Sequence, residues 1–189
     1  MERNVAKMVY ILLAEGFELV EALAPVDILR RAKVEVALVG VTGKTVKASN
    51  GVPVVADMEL DEADAQSLGA VVLPGGLPGT LNLENSAGVQ ELIDHCAEQG
   101  KLIGAICAAP SILAHKGLLD GRAATAFPKF QPDLTAGGAK LSQEYVVRDG
   151  PFITARGMGV STQFGLALAA ALVSEKAAQE IRASIQYQL

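Results

Sequence analysis

The chain has 189 residues, half of them apolar, with 16 Lys and Arg against 21 Asp and Glu for a formal net charge of -5. That length suits one domain with a sizeable core, so residues 1–189 are read as a single domain, and the interspersed charges argue against a nucleic-acid partner. Two cysteines are too few for a disulfide framework, and the first apolar run, residues 8–14, is too short for a signal-peptide core or a membrane span, so a soluble protein of the reducing cytoplasm is expected.

Residues 8–14 read as a buried strand, and residues 18–32 as a helix that Pro25 should kink. Residues 34–41 supply a second strand. Residues 42–56 look like two short strands around Ser49-Asn50-Gly51, and residues 61–67 like a short acidic helix or turn. The next strand, residues 69–73, runs into Pro74-Gly75-Gly76, and residues 87–99 read as a helix stopped by Gly100. Leu102, Ile103 and Ile106 suit a buried strand, Cys107 follows it, and Pro110 opens a helix ending near Gly117. Residues 123–127 form another short strand closed by Pro128, and residues 145–150 and 152–155 a hairpin-like pair. Residues 160–173 and 174–185 are helical, the first rich enough in Ala to pack closely. Strands alternating with helices predict an α/β fold with a mostly parallel sheet and helices on both faces. Ligands bind beyond the carboxyl ends of such strands, which selects the loops at residues 15–21, 74–79 and 107–110.

Cys107 sits in a strand-to-helix turn, the setting of a nucleophile elbow with Cys in place of Ser. A helix N-terminus and nearby donors lower a thiol pKa from about 8.5 to between roughly 3.5 and 7.5, so a reactive thiolate is expected. Cys96 falls mid-helix beside His95 and is expected to be inert. On the proposed first helix Glu21 is flanked by Phe17, Ala24, Pro25 and Ile28, an apolar stripe that should raise its pKa and keep it protonated. A neutral carboxylic acid there could donate a hydrogen bond to the sulfur or carry a proton during turnover. Glu15 and Glu18 read instead as solvated residues at the helix start. Gly75 and Gly76 let the backbone turn sharply, and the Gly76 and Ala108 N–H groups could form an oxyanion hole or cradle an oxidised sulfur. The run Gly75-Gly-Leu-Pro-Gly79 lacks the dinucleotide fingerprint, and no phosphate loop or metal-spaced Cys/His cluster occurs, so no cofactor and no metal are expected. His95 should lie on a charged helix face, and His115, about two turns beyond Cys107, should point away from the sulfur.

Gly16-Phe-Glu-Leu-Val-Glu21 with Ala24-Pro-Val-Asp27, Val72-Leu-Pro-Gly-Gly76, Ala105-Ile-Cys107-Ala-Ala-Pro110 and Thr154-Ala-Arg156-Gly157 resemble the DJ-1/ThiJ/PfpI superfamily, in order along nearly the whole chain. The resemblance implies a flavodoxin-like three-layer sandwich and a homodimer. It places the elbow cysteine and its protonated glutamate on Cys107 and Glu21, the backbone donors on Gly76 and Ala108, and the pocket on Gly75, Phe127 and Arg156. Four departures qualify it. Ala108 follows the cysteine where peptidase-like members carry His, Phe127 precedes Pro128 where the human-type protein has His, no arginine stands near Asn50 where one is expected, and Met158 follows Arg156-Gly157 where Pro is common. The first makes a peptidase improbable, and the second removes a proton carrier.

The expected function is cofactor-free conversion of a small 2-oxoaldehyde or a glycated substrate, of the glyoxalase or deglycase type, by Cys107 and Glu21. The alternative is an oxidative-stress sensor or redox-dependent chaperone that uses the same oxidisable cysteine without efficient catalysis.

Overall fold

Five aliphatic runs lie side by side at the centre of the computed structural model, which describes residues 8–188. They are Met8–Leu13 (β1), Val36–Gly40 (β2), Leu68–Leu73 (β6), Leu102–Ile106 (β7) and Phe152–Ala155 (β11). Met58–Glu59 (β5) closes one edge and Val146–Asp149 (β10) the other. The order is β10-β11-β7-β6-β1-β2-β5, and every neighbouring pair is parallel except β10 with β11. Two small ribbons stand apart: Thr45–Lys47 (β3) pairs antiparallel with Pro53–Val55 (β4), and Ala123–Ala124 (β8) parallel with Lys140–Leu141 (β9).

Helices cover both faces, which is why the strands read as continuous apolar runs. Side chains alternate along β1, so Val9, Ile11 and Leu13 pack on one side and Tyr10 and Leu12 on the other. The first group meets Leu19–Arg31 (α1), Ser161–Leu172 (α6) and Glu175–Ser184 (α7) through Leu29, Phe164 and Ile181. The second meets Gly79–Glu84 (α2), Ala87–Glu98 (α3) and Pro110–His115 (α4) through Leu83, Ile93 and Leu113, with Gln131–Ala136 (α5) beside α4. This is the flavodoxin-like three-layer α/β sandwich. The small residues of α6 serve close approach: a Cβ on Gly165 would come within 2.7 Å of Ile28 Cδ1 and 3.2 Å of Pro25 Cα. No described helix is long and apolar enough to cross a membrane.

The strand expected over residues 123–127 is cut to Ala123–Ala124. Beyond it the backbone bonds elsewhere, Thr125 N–H to Thr154 Oγ1 at 3.0 Å and Phe127 N–H to the Cys107 carbonyl at 2.8 Å. Helices α2 and α5 fall where the sequence pattern marked no element; each has six residues and no side-chain N-cap to announce it. The short helix or turn read over residues 61–67 is a 3-10 turn at Leu60–Glu62 followed by a hydrogen-bonded turn at residues 65–67. Pro25 lies inside α1, which continues through it as one helix.

Candidate active site

β7 ends at Ile106, and the next residue turns sharply: Cys107 has φ 65°, a left-handed conformation uncommon for a non-glycine residue. Two backbone bonds hold it there. Its N–H donates to the Ala155 carbonyl at 2.9 Å, and its carbonyl accepts from Phe127 N–H at 2.8 Å. A local strain of this kind persists only where the surroundings over-determine it. Pro110 then occupies the first turn of α4, where its missing N–H leaves no orphan.

Glu21 arrives from α1. Glu18, half-buried at the helix start, caps that helix by accepting the Glu21 N–H at 2.8 Å, while exposed Glu15 accepts the Lys47 N–H at 3.0 Å. The Glu21 side chain is 1% exposed among buried Phe17, Pro25 and Ile28. Its Oε2 accepts the Gly75 N–H at 2.9 Å, and the carboxyl also hydrogen-bonds Cys107. Burial raises its pKa to about 7; the charge of Glu18 adds to this, and the bonds from Cys107 and Gly75 oppose it. That matches the direction expected from the apolar stripe.

The thiol corrects its expectation. Burial, and then the charge and hydrogen bond of Glu21, push Cys107 up to about 12, although the Gly76 and Ala108 N–H groups at the sulfur pull the other way. Helix α4, with six residues, does not reverse this. Glu21 thus gives up its proton before Cys107 does, and a thiolate in the one-proton state requires that proton on Glu21. The two groups titrate as a unit.

Gly75 and Gly76 are required by space and backbone. A Cβ on Gly75 would sit 2.6 Å from Cys107 Cβ and 2.7 Å from Glu21 Oε2, and Gly76 has φ 91°. Gly157 forms the floor opposite: a Cβ built there would lie 3.6 Å from Phe127 Cδ2, 3.8 Å from Glu21 Oε1 and 3.9 Å from Cys107 Sγ. Phe127 is nearly half exposed beside it. Arg156 points its guanidinium into a brace: Nε donates to Thr125 Oγ1 at 3.3 Å, Nη2 to the carbonyl and Oε1 of Gln143 at 3.0 and 3.2 Å, and the group stacks 4.8 Å from the Tyr145 ring centroid.

Glu21, Gly75, Gly76, Cys107 and Ala108 thus come together, with Phe127 and Gly157 beside them. The brace partner Gln143 and Thr125 were missed, and Thr154 and Gly157 stood only within a family motif; two threonines in apolar runs were the available signal. Cys96 is fully buried on α3, where burial pushes its thiol up to about 11. His95 is half-buried with Nε2 2.8 Å from Lys101 Nζ, and His115 Nδ1 meets Glu84 Oε1 at 2.5 Å, so both rings are engaged away from the sulfur. Among the described residues no group of three His, Cys, Asp or Glu side chains is arranged to hold a metal ion.

The sequence profile of the DJ-1/PfpI family matches residues 7–171. The chain is 36% identical over 177 residues to Protein dj-1beta of Drosophila melanogaster, covering 93% of this chain and 95% of that protein. It is 31% identical over 152 residues to the glutathione-independent glyoxalase DJR-1.2 of Caenorhabditis elegans, covering 80% and 81%. The oxidized DJ-1 structure of Toxoplasma gondii superposes with a TM-score of 0.92 at 32% identity, over 97% of this chain and all of that one.

Proposed function

The chain belongs to the DJ-1/PfpI family, and from that premise we propose that it converts 2-oxoaldehydes to 2-hydroxy acids without a cofactor, as a glyoxalase-type enzyme. The observation that carries the reading is the hydrogen bond between half-buried Cys107 and the Glu21 carboxyl, with the Gly76 and Ala108 N–H groups beside the sulfur. The thiol proton passes to Glu21, and the sulfur attacks the aldehyde carbon of R–CO–CHO. The C=O bond opens, and its oxygen, stabilised by backbone N–H groups, takes up a proton to give a hemithioacetal. Glu21, again a carboxylate, removes the proton from that carbon and returns it to the neighbouring ketone carbon through an enediol. The aldehyde carbon is thereby oxidised to a thioester as the ketone is reduced to an alcohol. Water then cleaves the C–S bond, releases the 2-hydroxy acid and restores the thiol. No external oxidant or reductant is consumed.

A carboxyl pKa of about 7 suits both halves of this task, since near neutral pH Glu21 holds and releases a proton at similar free energy. Support also comes from the relative named as a glutathione-independent glyoxalase. The test follows methylglyoxal loss and lactate formation in the wild type, Cys107→Ser and Glu21→Gln. Both variants should lose at least about 100-fold in kcat/KM; equal trace rates in all three proteins would sink the catalytic reading.

A second reading is favoured by one specific observation: the two N–H groups point at a sulfur that solvent reaches, a cradle for an oxidised thiol. In this reading the chain senses peroxide through Cys107, and Glu21 holds the product by a hydrogen bond.

A further inference from the structure

Near the sulfur lies a hollow of about 490 Å³, lined by Phe127, Pro128, Tyr145, Gly157, Met158 and Val160 together with the braced Arg156. Gly157 links it to the sulfur: the point where its Cβ would stand is 3.9 Å from Cys107 Sγ and 3.6 Å from Phe127 Cδ2. Three large apolar side chains surface here, Phe127 at 46%, Tyr145 at 58% and Met158 at 54% exposure, in a chain with few aromatic residues. An exposed apolar cluster one glycine removed from the Cys107 sulfur marks a place where ligand surface is buried. The one charged group, Arg156, engages Thr125 through Nε and Gln143 through Nη2 and lies against Tyr145, neutral partners that fix its guanidinium without cancelling its charge. No carboxylate or lysine lines the hollow. The exposed Phe127, Tyr145 and Met158 side chains favour an apolar group there.

Resting on the catalytic reading above, we infer that the preferred 2-oxoaldehydes carry an aryl or other bulky apolar substituent, which lies against Phe127 and Met158 while the aldehyde carbon meets Cys107. In R–CO–CHO the substituent begins two carbons beyond the attacked one, on the far side of the ketone carbon. A methyl group leaves the hollow open to water, whereas a phenyl ring removes apolar surface from water on both partners. Phe127 and Met158, two of the chain's departures from the family pattern, are thus specificity-determining residues.

Alkylation tests this independently of turnover. Phenacyl chloride and chloroacetone share a ClCH2–CO unit and differ only in phenyl or methyl. In each, the Cys107 sulfur bonds the CH2 carbon, chloride leaves, and the thiol proton passes to the medium. The rate at Cys107 is read by peptide mass spectrometry, and the phenacyl-to-acetonyl ratio is divided by the same ratio for glutathione. The corrected ratio should be about tenfold in the wild type, and should fall by about threefold or more in Phe127→Ala and in Met158→Ala. A corrected ratio near one, or a ratio unchanged in both variants, overturns the inference. Preserved selectivity with turnover of neither phenylglyoxal nor methylglyoxal would keep the apolar subsite and remove the catalytic reading; turnover with a flat ratio would do the reverse.

Discussion

Gly75 donates its N–H to Glu21 Oε2 at 2.9 Å, and that carboxyl group is also the hydrogen-bond partner of Cys107. A loop after β6 therefore sets the position of a carboxyl from α1 against a thiol from the end of β7. Gly75 does this because it has no side chain: a Cβ would stand 2.6 Å from Cys107 Cβ and 2.7 Å from Glu21 Oε2. Gly75→Ala should destabilise the fold by about 1–3 kcal/mol as neighbours shift, and reduce kcat/KM on methylglyoxal about 100-fold through misplacement of the pair. Denaturant unfolding and steady-state kinetics read the two effects. An alanine variant with unchanged activity would mean that the spacing of the pair is not critical.

The coupled pair predicts an unusual pH profile for thiol reactivity. Loss of the first proton at about pH 7 opens the one-proton state, in which moving that proton to Glu21 exposes the thiolate. Iodoacetamide modification of Cys107 should therefore rise with a midpoint near pH 7, and this step should vanish in Glu21→Gln, whose side chain accepts no proton. Cys96, buried and pushed up to about 11, should stay unmodified across the range in the folded protein. Identical profiles in wild type and Glu21→Gln would show that Glu21 does not govern the sulfur.

Stability should carry the same signature. The folded pKa of Glu21, about 7, lies above its unfolded value of 4.5, so the folded state binds the proton more tightly. The contribution is fully present below 4.5 and lost as pH rises through about 7. The span corresponds to about 3 kcal/mol. Subtracting the stability of Glu21→Gln from that of the wild type at each pH cancels the other titrating groups. The difference should decline by roughly that amount across the window. A flat difference would mean that Glu21 ionises in the fold as it does in the unfolded chain.

Much of this was legible in the sequence, for reasons that differ by residue. The strand before Cys107 and the helix after it announce themselves through the apolar run and Pro110, both local signals. Glu21 stands out because a carboxylate in a stripe of Phe17, Pro25 and Ile28 has nowhere to be solvated. The direction of the thiol pKa was not legible, because it depends on the carboxyl that folding brings from α1. The same holds where the strand at Ala123–Ala124 ends: the Thr154 hydroxyl and the Cys107 carbonyl claim the next N–H groups. The role of Arg156 as a brace rests on Gln143, a loop residue with no pattern to mark it.

The sulfur should also separate from Cys96 under oxidation. Peroxide oxidises a thiol to sulfenic acid with loss of water, and a second equivalent gives sulfinic acid. Attack needs an accessible thiolate; solvent reaches Cys107, which has Glu21 to take its proton, whereas Cys96 is fully buried. The sulfinate formed would face the Gly76 and Ala108 N–H groups and a protonated Glu21, which stabilise its charge. Mild peroxide should therefore add two oxygens to Cys107 well before Cys96 gains one. Glu21→Ala should slow the second addition and lower the melting temperature gained on oxidation, since the product then loses its carboxylic donor. Peptide mass spectrometry and thermal unfolding check the two halves. Oxidation of both cysteines at one rate, or a Glu21→Ala protein that accumulates sulfinate as the wild type does, would remove the sensing role.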